Sequence, residues 1–138
     1  MFTDFSLIFD FRFNPYALLS LLAVVVNLSL LIWVNAKGAK NEITQWFSLL
    51  LVAIILWGVS EFLDRSSANT TASLFWGYIG RPGWIFIPIL LFIFAIHFVG
   101  KGEMLKSKLI QFLILGPTFF WLFLAWNTNF VSNNNLAD

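Results

Sequence analysis

Four long apolar stretches constrain the fold of this chain more than any other feature of its sequence. An α-helix rises about 1.5 Å per residue, so about 20 apolar residues cross the roughly 30 Å hydrocarbon core of a bilayer. Four segments meet this requirement, at about 15–34, 44–63, 73–99 and 109–126. They predict an all-α fold, a polytopic membrane bundle with four transmembrane helices in a single membrane domain, 1–138.

The composition agrees with a chain whose surface is covered largely by lipid. Hydrophobic residues make up 59% and charged residues 11%, against roughly 45–50% and about 25% in soluble domains. The chain has no cysteine, which excludes disulfides and thiolate metal sites. Its net charge of +1 does not favour a nucleic-acid partner. We therefore expect the lipid bilayer as the main partner, with no cofactor and no metal.

The lysines are unevenly distributed between the two ends of the predicted helices. The loops after the first and third helices contain five of them: Lys37, Lys40, Lys101, Lys106 and Lys108. Because cytoplasmic loops carry an excess of basic residues, these two loops are predicted to be cytoplasmic. The N-terminus is then outside, and after four crossings the asparagine-rich tail is outside as well.

An ionisable cluster is predicted at the outer ends of the second and third helices. Glu61 and Asp64 lie three residues apart and share a helix face with Trp57. Arg81 is expected at a similar depth on the third helix, with Trp84 beside it. Two interpretations remain open. In the first, Glu61 and Arg81 have a structural role, either as an ion pair or as side chains that extend to the water at the interface. In the second, the five residues recognise a ligand.

His97 is the only histidine, and it lies about one turn before Lys101 near the predicted cytoplasmic interface. A single histidine cannot supply paired axial ligands to a membrane haem, and neither a cysteine nor a carboxylate close in sequence completes a metal site. We expect an interfacial residue that is hydrogen-bonded to a neighbour or to lipid headgroups. Proton sensing or relay is the alternative.

Polar residues and prolines within the helices predict local packing features. Asn27 lies near the middle of the first helix and shares a face with Ser20, which favours a polar contact between helices. Pro88 and Pro117 each remove a backbone donor and are expected to kink the third and fourth helices.

The start of the third helix carries further glycines and a proline. The sequence Arg81-Pro82-Gly83 predicts a break or tight turn where this helix enters the lipid. Gly77, Gly80 and Gly83 recur at intervals of three and predict close helix contact.

Short motifs occur at defined places along these helices. They are Gln45-Trp46-Phe47, Leu56-Trp57-Gly58 followed by Glu61, Tyr78-Ile79-Gly80, Ile87-Pro88, Phe94-Ala95-Ile96-His97-Phe98-Val99-Gly100-Lys101 and Gly116-Pro117. Over about 16–130 their order resembles the N-terminal seven-helix sensor region of bacterial histidine kinases, which is also found on diguanylate cyclases. The resemblance implies that this chain contains the first four of seven helices.

The resemblance also implies a function. The chain is expected to be a sensory input module in the bacterial inner (cytoplasmic) membrane, an N-terminal fragment of a larger sensor. Three further helices and a cytoplasmic kinase or cyclase effector would follow, and a second copy of the chain is a candidate partner. The chain itself has no catalytic motif, so we expect no enzyme activity from it. Two alternatives remain open: a fragment or subunit of a transporter, and a small accessory membrane protein.

Overall fold

The computed structural model describes residues 5–127 as a bundle of four long α-helices. These helices are α1 (Ala17–Lys37), α2 (Glu42–Ser66), α3 (Thr70–Phe98) and α4 (Lys108–Asn127). All four are long and apolar enough to cross a membrane. The described residues contain no β-strand, so the predicted fold class, an all-α polytopic membrane bundle, is confirmed. The asparagine-rich tail, 128–138, lies outside the described residues.

Asparagine side chains determine where α2 and α3 begin. The side-chain oxygen of Asn41 accepts a hydrogen bond of 2.9 Å from the backbone N–H of Thr44. Asn69 does the same for Ala72, also at 2.9 Å. Each bond satisfies one of the backbone donors that a helix leaves unpaired at its N-terminus. Helix α1 has no such cap at Tyr16, and it begins at Ala17 rather than at the expected position 15.

Helix α3 is continuous over its 29 residues although Pro82 and Pro88 lie inside it. The predicted break at Arg81-Pro82-Gly83 is therefore wrong. A physical reason is that water is not available in the hydrocarbon core, so a broken helix would leave several backbone groups without partners. Pro117 likewise lies inside α4. Helical kinks at Pro88 and Pro117 remain predictions.

Helix α2 forms the centre of the bundle and packs against α1 on one side and α3 on the other. Close approach to α3 depends on two of the three predicted glycines. A Cβ added to Gly80 would lie 2.8 Å from the Cβ of Ser60, and one added to Gly83 would lie 2.9 Å from the backbone N of Trp57. A Cβ added to Gly77 would meet nothing within 4 Å, so the close helix contact predicted there is wrong.

The outer helices are much less buried than the central pair. In an apolar 18-residue stretch of each helix, 6% of the residues are buried in α1 and in α4, against 22% in α2 and in α3. Within residues 5–127, the long helix that α1 contacts is α2, and the one that α4 contacts is α3. Large apolar faces of α1 and α4 are thus open to lipid or to further helices.

Residues 5–16 lie across one end of the bundle, which we call the N-terminal end. The backbone N–H of Arg12 donates to the carbonyl of Ser66 at 2.8 Å. The indole N–H of Trp76 donates to the carbonyl of Ile8 at 3.2 Å, and the Ile8 side chain is almost completely buried. The opposite end, with the α1–α2 and α3–α4 loops, carries the five lysines and is called the lysine end.

Candidate functional site

A cavity of about 340 Å³ lies between α2 and α3 towards the N-terminal end. Its lining includes all five residues that the sequence assigns to the candidate site: Trp57, Glu61, Asp64, Arg81 and Trp84. Gly80 of α3 contacts Ser60 of the antiparallel helix α2. Because Arg81 and Glu61 are the next residues of these two helices, this contact brings them to a similar height in the bundle, where both line the cavity. We call this cavity the outer cavity.

Glu61 is paired within its own helix. The Nε of Arg65 donates to Oε1 of Glu61 at 2.7 Å, one turn further along α2. The side chains are 30% exposed for Glu61 and 50% for Arg65, so water screens this ion pair and its contribution to stability is small. Among the described residues, the ion pair formed by Glu61 is thus with Arg65 and not with Arg81. The carboxylate keeps further acceptor sites on the side of the cavity.

Arg81 connects α3 to α4. Its guanidinium lies over the ring of Tyr78, 3.8 Å from the ring centroid, in a cation–π contact. The same group donates a hydrogen bond to the backbone carbonyl of Ala125 in α4. The position of the fourth helix at this level is therefore tied to an arginine that also lines the outer cavity.

The polar wall of the cavity includes residues that sequence reasoning missed. Ser73 Oγ donates to Asp64 Oδ1, which links the start of α3 to the end of α2. Ser60 is 3% exposed and lines the cavity beside Gly80. Ser73 could have been predicted, because it lies near the start of α3 and therefore close to the end of α2, where Asp64 is. Ala125 contributes a carbonyl, and no pattern of side chains indicates such a contact.

The chemistry of the outer cavity favours binding over catalysis. It combines two carboxylates, a guanidinium and two half-exposed indole rings, of Trp57 and Trp84. Such side chains are suited to charge-assisted hydrogen bonds and contacts with aromatic rings. Within residues 5–127, no three histidine, cysteine or carboxylate side chains come together as a metal site would require.

At the lysine end, His97 contacts a carboxylate from another helix. Its Nε2 lies 3.4 Å from Oε2 of Glu42, and its Nδ1 lies 2.9 Å from the carbonyl of Ile93. The ring also packs against Trp46 with 5.7 Å between centroids. Sequence reasoning found no carboxylate for His97, because Glu42 begins α2 and reaches the histidine only through the antiparallel packing of α2 and α3.

Asn35, which is not one of the two predicted residues, makes a polar link between α1 and α2. Asn27 donates to the carbonyl of Ala23 in its own helix at 2.7 Å. The Nδ2 of Asn35 instead reaches Ser48 Oγ of α2 at 3.1 Å. Ser20 lies at the α1–α2 contact, where its carbonyl oxygen would be 3.9 Å from a Cβ on Gly58. An interhelical role for the side chains of Ser20 and Asn27 remains a prediction.

The chain is similar to a family of known membrane regions. The profile of a family described as the N-terminal 7TM region of histidine kinase matches residues 19–134, well over half of the chain. The match spans most of α1 and all of α2, α3 and α4. No curated protein and no solved structure matches the chain significantly.

Proposed function

Because the chain belongs to the family of N-terminal seven-transmembrane regions of histidine kinases, we propose that it is the sensory input module of a bacterial sensor histidine kinase. In this proposal it lies in the cytoplasmic membrane with its N-terminus outside, as the lysine distribution favours. Three further helices and a cytoplasmic effector domain accompany it, and the module associates with a second copy. The chain supplies the input and none of the phosphotransfer chemistry.

The stimulus binds in the outer cavity. The observation that carries this proposal is that two acidic residues, an arginine and two tryptophans from α2 and α3 line one cavity, which Ala125 of α4 also borders. Charged side chains near a bilayer are costly unless they are paired or hydrated, and within membrane segments they often mark functional sites. A small polar ligand that carries an acidic group would fit this set.

Arg81 would convert binding into a movement of helices. In the described state its guanidinium is shared between the Tyr78 ring and the Ala125 carbonyl. An acidic group in the cavity would compete with that carbonyl for the guanidinium, and α4 would lose a polar contact with α3. A ligand shifts a two-state equilibrium only by its difference in affinity for the two states. Here the difference arises from the guanidinium, which binds either the ligand or α4.

The test measures autophosphorylation of the histidine kinase that contains this region, in membrane vesicles supplied with labelled ATP. We expect Arg81→Ala to change the basal rate at least about fivefold, the lower range of allosteric coupling. Arg81→Lys, which keeps the charge without the planar group, should give an intermediate rate. Arg12→Ala is the control, because Arg12 lies at the same end without lining the outer cavity. Unchanged rates in Arg81→Ala and Glu61→Gln, at equal protein abundance, would contradict the proposal.

A further inference from the structure

A second and larger cavity lies at the lysine end, between α2, α3, α4 and the short turn Gly102–Lys106. We call it the inner cavity. Its volume of about 690 Å³ is in the range of about 300–1,000 Å³ that is typical of small-molecule sites. Residues of three transmembrane helices thus line a cavity that is separate from the outer cavity and partly open at its side.

Polarity changes along the length of the inner cavity. Its mouth contains the polar and charged side chains Glu42, Gln45, His97, Lys106 and Gln111. Its interior is lined by the apolar residues Leu49, Phe86, Ile89, Leu90, Ile93, Ile114 and Leu115. From His97 back to Phe86, α3 rises by about 16 Å at 1.5 Å per residue. This is about half of the roughly 30 Å hydrocarbon core, the depth of one leaflet.

The mouth carries one negative and one positive charge that remain open to a ligand. The Glu42 side chain is 75% exposed, and its contact with His97 involves one of its two oxygens. The Lys106 ammonium donates to Glu103 Oε1 at 2.6 Å and is 72% exposed. The hydrogen bond and the charge of Glu103 raise the pKa of Lys106, which stays cationic at neutral pH. A carboxylate has about four acceptor sites and an ammonium three donors, so both groups have free capacity.

We propose that the inner cavity binds a phospholipid whose headgroup carries both a phosphate and a primary ammonium, as phosphatidylethanolamine does. An acyl chain occupies the apolar interior. The phosphate lies at Lys106, and the ammonium donates to Glu42. Phosphatidylglycerol lacks the ammonium, and its glycerol hydroxyls can donate to Glu42 only as uncharged groups. Phosphatidylcholine has no N–H to donate. The proposal concerns a site separate from the outer cavity and does not depend on the sensory role.

The first experiment measures headgroup preference. The purified protein is placed in nanodiscs with equal amounts of phosphatidylethanolamine, phosphatidylglycerol and phosphatidylcholine, and the lipids that remain bound are counted by native mass spectrometry. We expect phosphatidylethanolamine to exceed each of the others about tenfold, the factor that one charge-assisted hydrogen bond supplies. Equal retention of the three lipids would overturn the proposal.

Substitutions at the mouth separate the two contacts. Glu42→Gln should remove the preference for phosphatidylethanolamine over phosphatidylglycerol, because a neutral glutamine does not attract the ammonium by charge. Lys106→Gln should lower retention of all three phospholipids, because each of them carries the phosphate. Lys101→Gln is the matched control, since this exposed lysine of the same end does not line the inner cavity. Unaltered selectivity in Glu42→Gln would overturn the assignment of the ammonium.

Photocrosslinking locates the lipid without relying on these variants. A benzophenone amino acid replaces Leu115, which lines the inner cavity and is 38% exposed, or Leu113, which is 61% exposed and does not line it. At Leu115 the lipid adducts should be enriched in phosphatidylethanolamine, whereas at Leu113 they should match the bulk membrane. Adducts to another polypeptide at Leu115, or a bulk lipid ratio there, would overturn the proposal.

Discussion

Ser60 and Gly80 are in direct contact where α2 and α3 pack together, and a Cβ on Gly80 would lie only 2.8 Å from the Cβ of Ser60. This contact determines the level at which the two helices meet. It places Glu61 and Arg81, the next residue of each helix, beside the outer cavity. The register of the two helices therefore depends on two small residues.

Replacing Gly80 by alanine should destabilise the bundle. The added methyl group has no space against Ser60, and overpacking of this kind costs about 1–3 kcal/mol. Gly77→Ala is the matched control, because a Cβ there meets nothing within 4 Å. That variant should be neutral or stabilised by up to about 1 kcal/mol, through its better helix propensity. Unfolding in detergent followed by circular dichroism measures both, and equal stabilities would show that the contact is not tight.

Replacing Asn35 by alanine should destabilise the protein more than replacing Asn27. Both side chains donate to a carbonyl one turn earlier in α1, and Asn35 also donates across to Ser48 of α2. Interhelical hydrogen bonds in membranes contribute about 0.6–1.7 kcal/mol. The same unfolding assay compares Asn35→Ala, Asn27→Ala and Ser48→Ala. The double variant Asn35→Ala/Ser48→Ala should lose less stability than the two single variants added together, because each single variant already removes the shared hydrogen bond. Strictly additive losses would argue against the contact.

The orientation of the chain can be tested with single cysteines, because the sequence has none. Ala68→Cys lies between α2 and α3 at the N-terminal end, and Ala39→Cys lies between α1 and α2 at the lysine end. A membrane-impermeant maleimide should label Ala68→Cys in intact cells and Ala39→Cys only after permeabilisation. The reverse pattern would show that the lysine-bearing loops are not cytoplasmic.

Trp76→Phe should loosen the residues that precede α1. The substitution keeps an aromatic ring beside Phe9 and Phe11 but removes the donor to the Ile8 carbonyl. A net loss of about 1 kcal/mol corresponds to roughly a fivefold change in the opening equilibrium. Hydrogen exchange of the Arg12 amide, which bonds to Ser66, reports this change. Trp33→Phe, at an exposed position of α1, should leave that amide unaffected.

The sequence predicted which side chains line the candidate site better than it predicted the partners that they contact. Charge in an apolar background identified Glu61, Asp64 and Arg81, and the depth argument placed Arg81 opposite Glu61. A Glu61–Arg81 ion pair was one of the interpretations left open. Among the described residues Glu61 pairs with Arg65, which lies one turn away and needs no helix packing to reach it. Arg81 contacts the backbone carbonyl of Ala125 and the ring of Tyr78, and the pattern of charges in the sequence does not indicate either partner.

By itself, the sequence determined that this chain forms four membrane-spanning helices and which family it belongs to. Hydrophobicity and length are local properties, and they are sufficient because the bilayer imposes the same requirement on every crossing segment. The tertiary structure decided which polar groups meet: Glu42 with His97, Asn35 with Ser48, and Arg81 with Ala125. Those contacts follow from the register of antiparallel helices. That register is set by the fit of small residues such as Gly80 and Ser60, and it is not encoded in any single segment.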